Sequence, residues 1–198
     1  MVMADADPTT PLSPNECREP VLEDLANLCQ ALNRAGANYV VIGGFAMRAA
    51  GFIRSTMDID LLIETGPQNE QRVIEALMTL PDQAVREVKP GEVEEYGVVR
   101  VADEFLVDLM KSGCGVPYAE ARRDAAWQEV QGIRIPFASP KTLWRMKQTL
   151  REKDIPDRLF LRYLLEAQGV SLTPYEVSGL PGWMRRLKVF LGGGHRNP

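Results

Sequence analysis

The chain is nearly without histidine: of 198 residues only His195 is one, in the glycine-rich stretch G-G-G-H-R-N-P. Histidine is the usual general base near neutral pH and the commonest metal ligand, so imidazole triads and His-rich metal sites are excluded. Cysteine is scarce as well. Cys17, Cys29 and Cys114 lie far apart with no C-x-x-C pair, which leaves neither a disulfide framework nor a zinc site and fits a reducing compartment. No apolar run approaches the roughly 20 residues of a membrane span. The opening M-V-M-A-D-A-D-P-T-T lacks the apolar centre of a signal peptide. The expectation is a soluble cytoplasmic protein without membrane contact, whose chemistry falls to carboxylates, Arg, Lys and the backbone.

What is there is ordinary in bulk. At 45% hydrophobic and 25% charged residues the chain can bury a core, and its length favours one domain with a small helical appendage. A net charge of -4 and a pI near 5.2 argue against wrapping duplex nucleic acid, while leaving room for a local basic patch that holds a nucleotide or an RNA end.

Residues 1–19, with Pro8, Pro11 and Pro14 and little apolar content, read as a disordered arm. From Pro20 a helical pattern runs through Leu22, Leu25, Leu28 and Leu32 to a stop at Gly36. Tyr39–Ile42 reads as a strand, Gly43-Gly44 as a turn, Phe45–Ala50 as a short helix and Met57–Ile63 as a second strand. Gln68–Leu80 is expected as a surface helix, and Val98–Ala102 and Phe105–Met110 as a hairpin across Asp103-Glu104. Val130–Phe137 is a further strand candidate. Ser139-Pro140 starts a helix expected to reach about Lys153, and Asp154 restarts one to about Gln168. An amphipathic piece, Trp183–Leu191, is expected to dock on the core. The order implies an α/β (α+β) class: a mixed sheet flanked by helices over 20–138, then a helical part and tail over 139–198.

One apolar strand carries an oddity, D-I-D-L-L-I. Side chains two apart in a strand share a face, so Asp58 and Asp60 form a carboxylate pair. Two such charges in a partly buried place repel unless a cation sits between them, and oxygen ligands without Cys or His select Mg²⁺ or Mn²⁺. A strand edge with both merely solvated is the alternative. Asp108, alone in the apolar run F-L-V-D-L-M, is costly unless it binds metal or pairs with an arginine. Gly43-Gly44, thirteen residues ahead of Asp58, leaves a strand and enters a helix, where backbone N–H groups can approach an anion. A phosphate cradle beside three carboxylates points to phosphoryl or nucleotidyl transfer.

I-G-G, then D-I-D-L, then V-D-L resembles the signature of the DNA polymerase β-type nucleotidyltransferase superfamily. The fuller G-F-I-R-S-T-M-D-I-D-L-L-I and the later M-K-Q-T-L-R-E-K-D-I-P-D are similar to its bacterial branch of AbiEii-like toxins and minimal antibiotic nucleotidyltransferases. The resemblance covers about residues 38–165. Two positions depart from it: many members carry Gly-Ser where this chain has Gly43-Gly44, and often His-Gly where it has Ala50-Gly51.

The resemblance implies a nucleotidyltransferase-type fold in which Asp58 and Asp60 hold metals. Asp108 would bind a second metal or take the acceptor's proton. Arg54 and Thr56 would reach phosphate oxygens, although Arg54 equally suits a plain surface charge. Lys147 and Arg151, on one helical face with Asp154, would hold the triphosphate; a solvated stripe is the alternative, and Asp154 could cap the next helix. The implied activity moves an NMP from an NTP such as ATP to a hydroxyl of tRNA, protein or a small molecule, with Mg²⁺ or Mn²⁺ as cofactor. A toxin role with a cognate antitoxin, an aminoglycoside- or lincosamide-modifying role, and a non-catalytic nucleotide- or partner-binding module all remain open.

Overall fold

The computed structural model describes Cys17–Val170 and Leu172; most of the N-terminal arm, the Trp183–Leu191 piece and His195 lie outside the described residues. Helix α1 is Leu22–Arg34. It starts two residues later than Pro20 suggests, because the Asp24 carboxylate accepts the Val21 N–H at 2.7 Å and is itself gripped by Arg18. Of the expected stripe, Leu25, Leu28, Cys29 and Leu32 are buried while Leu22, in the first turn, is exposed, and Gly36 at φ +66 ends the helix.

Strands follow at β1 (Tyr39–Val41), β2 (Asp58–Ile63), β3 (Val98–Ala102), β4 (Leu106–Met110), β5 (Ser112–Gly113), β6 (Val116–Pro117), β7 (Ala126–Val130) and β8 (Ile133–Phe137). Helix α2 (Gly43–Ala49) joins β1 to β2, α3 (Pro67–Leu77) and α4 (Glu92–Tyr96) lie between β2 and β3, and α5 (Tyr118–Arg123) precedes β7. Helices α6 (Pro140–Met146) and α7 (Ile155–Ala167) close the described chain. The main sheet has six strands in the order β3-β4-β2-β1-β8-β7, mixed in direction: β2 runs parallel to β4 and β1 parallel to β8, the other neighbours antiparallel. The architecture is therefore the expected mixed α/β sheet flanked by helices. Val40, Val41, Ile59, Leu61, Ile63, Val107 and Leu109 form its buried centre. No helix among the described residues is long and apolar enough to cross a membrane.

Three expectations need correction. Gly43 and Gly44 are the first turn of α2, not a turn preceding it. The strand foreseen at Val130–Phe137 is the second half of a hairpin, β7 and β8, reversed by Gln131 and Gly132 at φ 50 and 77. A pair of left-handed residues matches the twist of the flanking strands, and Gln-Gly does this less conspicuously than Asn-Gly. Third, α6 stops at Met146, seven residues short of Lys153. Arg158 takes the carbonyls of Lys147 and Thr149 at 3.1 and 3.0 Å, so the chain turns there with its end groups satisfied.

The start of α6 is as expected. Ser139 Oγ accepts the Thr142 N–H at 3.1 Å and donates to Asp124 at 2.6 Å. We predict that Ser139→Ala costs about 1 kcal/mol, the usual worth of such a cap. Urea unfolding measures it, and an unchanged midpoint would remove the cap from the account of this helix.

Candidate active site

Register builds the site. In the parallel pair β2–β4, Asp60 lies directly opposite Asp108, and Asp58 opposite Leu106. Asp58, Asp60 and Asp108 therefore share one face of the sheet, and each offers a carboxylate oxygen within 4.8 Å of the others'. The opposite face carries Ile59, Leu61, Val107 and Leu109, all essentially unexposed, which fixes the triad's direction.

The helix after β1 is shaped to admit the carboxylates. A Cβ on Gly43 would lie 1.8 Å from Asp60 Oδ2, and one on Gly44 2.2 Å from Thr56 Oγ1. Gly43 also holds φ +62. The Gly44 N–H faces the Asp60 carboxylate and favours its charged form. Thr56 is likewise committed: its hydroxyl donates to the Asp58 carbonyl at 3.2 Å and lies 3.3 Å from Asp58 Oδ1. It positions the first aspartate.

The triad's electrostatics are those of a cation site. Burial, then the charges of Asp58 and Asp108, push the Asp60 carboxyl up to about 6, against the pull of Lys147 and the Gly44 N–H. An all-carboxylate donor set, crowded and short of positive charge at Asp60, fits a hard divalent ion, and Asp58, Asp60 and Asp108 are the residues that can hold one.

One partner was missed by sequence reasoning. Arg100, on β3 directly opposite Asp108, grips it with two bonds, Nε to Oδ1 and Nη2 to Oδ2, both 2.7 Å. Its Nη2 also lies 4.0 Å from Asp58 Oδ2. The Asp108 bond holds the guanidinium well above its ordinary pKa. Both alternatives foreseen for Asp108, a place in the carboxylate cluster and an arginine partner, are thus present together.

The remaining basic residues converge from the other side. Lys147 does not share a helical face with Arg151 and Asp154, since α6 has ended; they meet because the chain turns back. Lys147 Nζ is 3.1 Å from Asp154 Oδ1 and 2.8 Å from Asp157 Oδ2, and Arg151 Nε is 2.9 Å from Asp154 Oδ2. Arg54 Nε is 3.2 Å from Asp157 Oδ1, so it is no plain surface charge. Asp154 occupies the cap position of α7, yet its side chain caps nothing there. Burial would raise its carboxyl, but the Thr149 hydroxyl, Lys147 and Arg151 outweigh that and hold it below its ordinary value. Asp157, 1% exposed, is held by charge: its oxygens and Arg54 Nε lie within ion-pairing distance but off hydrogen-bonding geometry.

These groups wall a cavity of about 430 Å³. Of the residues the sequence singled out, Gly43, Arg54, Thr56, Asp58, Asp60, Asp108, Lys147 and Arg151 line it; Gly44 stands behind, against Asp60 and Thr56. Arg100 and Lys153 are additions. Among the described residues, its acidic lining is the triad, against five basic side chains.

No family model matches the chain, and no curated protein matches it. Among solved structures it is similar to an antigenic nucleotidyltransferase-like protein from Paracoccidioides brasiliensis, at 16% identity and a TM-score of 0.46, with 92% of this chain and 90% of that chain covered. That likeness is too loose to carry function, which must come from the cavity's side chains.

Asp157 joins Arg54 to Lys147, and removing it would take the paired carboxylate from Arg54 and leave Lys147 with Asp154. We predict that Asp157→Ala destabilises the protein by about 3 kcal/mol, the cost of breaking a buried ion pair from one side. Denaturant melts of the full chain test this, and a loss below about 1 kcal/mol, the value of an exposed pair, would refute the buried linkage.

Proposed function

We propose that the chain is a metal-dependent nucleotidyltransferase. The observation that carries the reading is the cavity itself: three carboxylates on one sheet face, enclosed by Arg54, Arg100, Lys147, Arg151 and Lys153. An acidic floor under basic walls suits a nucleoside triphosphate accompanied by divalent cations. In this reading residues 20–138 supply the floor, and the helical part from 139 onward lends Lys147 and Arg151.

Asp58, Asp60 and Asp108 would hold Mg²⁺ or Mn²⁺, which when bound lowers the charge barrier between nucleophile and phosphate. Lys147 and Arg54, restrained by Asp154 and Asp157, present positive charge to the polyphosphate without having to be ordered at the moment of binding. Arg151, more exposed, adds to the same wall. Thr56 and Gly44 keep Asp58 and Asp60 in place. In the transfer an acceptor hydroxyl oxygen bonds to the α-phosphorus, the bond from that phosphorus to the bridging oxygen breaks, and pyrophosphate leaves. The hydroxyl proton passes to a cavity carboxylate, Asp108 in our assignment.

The basic wall also bears on the acceptor. A polycationic aminoglycoside needs acidic groups beyond the catalytic ones, and among the described residues none lines the cavity. An RNA end or a protein hydroxyl suits the walls better, in keeping with a toxin-like role and a cognate antitoxin; growth arrest on expression, without raised drug tolerance, is the expected phenotype. One observation favours a second reading, a nucleotide-binding module without turnover: Arg100 engages both oxygens of Asp108.

A label-transfer assay separates the two. Protein, Mg²⁺ or Mn²⁺ and each α-labelled NTP are mixed with cell RNA, cell protein or a drug panel. Label should appear on one fraction, and Asp60→Ala should lower it at least about 100-fold, as loss of a central electrostatic group does. Label undiminished in Asp60→Ala overturns the assignment; NTP binding without pyrophosphate release selects the module.

A further inference from the structure

Arg100, Asp108 and Asp60 form a single row across three adjacent strands, because Arg100 pairs with Asp108 in the β3–β4 register and Asp108 with Asp60 in the β4–β2 register. The row begins at an edge strand, so the Arg100 side chain has solvent on its outer side and is about half exposed, while Asp108 beneath it is buried. A two-point guanidinium–carboxylate contact is stronger and more directional than a single ammonium bond. Here it engages both oxygens of the one triad member that lies on β4, and the same guanidinium reaches toward Asp58. Among the described residues no two-point contact of this kind holds Asp60, whose charged form is favoured by Lys147 and the Gly44 N–H.

We propose that Arg100 is the resident counter-ion of the triad, a positioning residue that latches Asp108 while no metal is bound and competes with divalent cations for it. This rests on the reading of the triad as a metal site. A guanidinium on both oxygens of Asp108 repels a divalent cation and competes with it for the carboxylate's lone pairs, so loading has to loosen the fork. The half-exposed Arg100 side chain has room to do so. The latch keeps three crowded carboxylates in place in the metal-free protein, at the expense of weaker intrinsic metal affinity.

The test is Mn²⁺ binding to the full chain, read as free Mn²⁺ by electron paramagnetic resonance, with thermal melts alongside. Arg100→Met should bind Mn²⁺ about 10-fold more tightly than wild type, while melting lower without metal and recovering with it. Arg100→Lys keeps the charge but loses the fork, and should also bind more tightly, by about 3-fold. Equal or weaker binding in Arg100→Met overturns the latch. So does wild-type affinity in Arg100→Lys beside tightening in Arg100→Met, which would reduce Arg100 to a general positive charge. Asp60→Asn is the reference for the site: Mn²⁺ binding that survives in it unchanged, or is absent from wild type and Arg100→Met alike, overturns the metal reading itself. Equal binding in wild type and Arg100→Met that is lost in Asp60→Asn overturns the latch alone.

Discussion

Repulsion among three carboxylates on one face of a sheet is the constraint around which the molecule is arranged. The register of β2 against β4 creates it, and the apolar residues of the opposite face enforce that register, since a slip by one residue would turn Ile59 and Leu61 out of the core. Charge compensation then has to come from outside β2. It arrives from three directions: a guanidinium on β3, a backbone N–H at the start of α2, and an ammonium where α6 ends. Gly43 is part of the same solution, because Asp60 can reach the helix start only if no Cβ stands there.

Legibility in the sequence followed how local each interaction is. Asp58 and Asp60 share a face by strand geometry alone, so their pairing needed no tertiary information. Asp108 was recognisable as a carboxylate needing a partner, but not which partner. The Arg100 contact turned on a single loop residue. A turn of Asp103-Glu104 alone, with β4 beginning at Phe105, sets Arg100 across from Val107 and on the wrong face. In the structure Ala102 pairs with Leu106, the loop is one residue longer, and Arg100 meets Asp108.

The overlong α6 has a similar origin. Lys147, Arg151 and Asp154 have helical spacing, which on a helix running from Ser139-Pro140 to about Lys153 implies one shared face. They do converge, but through a turn closed by Arg158 on two carbonyls and by Asp154 on Lys147, Thr149 and Arg151. Spacing alone cannot distinguish side chains that share a helical face from side chains that meet a common counter-ion. The buried position of Asp154 and Asp157, each 1% exposed, decides between them here, since a buried carboxylate needs compensation and these two find it in Lys147, Arg151 and Arg54.

Charge balance ties the two halves of the cavity together. Five basic residues line it, and Asp154 and Asp157 behind the wall offset two of them, leaving three positive charges against the three of the triad. The side chains in and behind the cavity are thus close to neutral in sum. Neutralising the triad with divalent cations leaves the wall uncompensated, and a positive, largely enclosed wall is a receptor for a polyanion. On the proposed reading, cation and polyphosphate would favour each other through the field of the cavity even where they share no ligand. Such a site need not bind either component tightly alone, and it is the paired carboxylates behind the wall, as much as the triad in front of it, that set this behaviour.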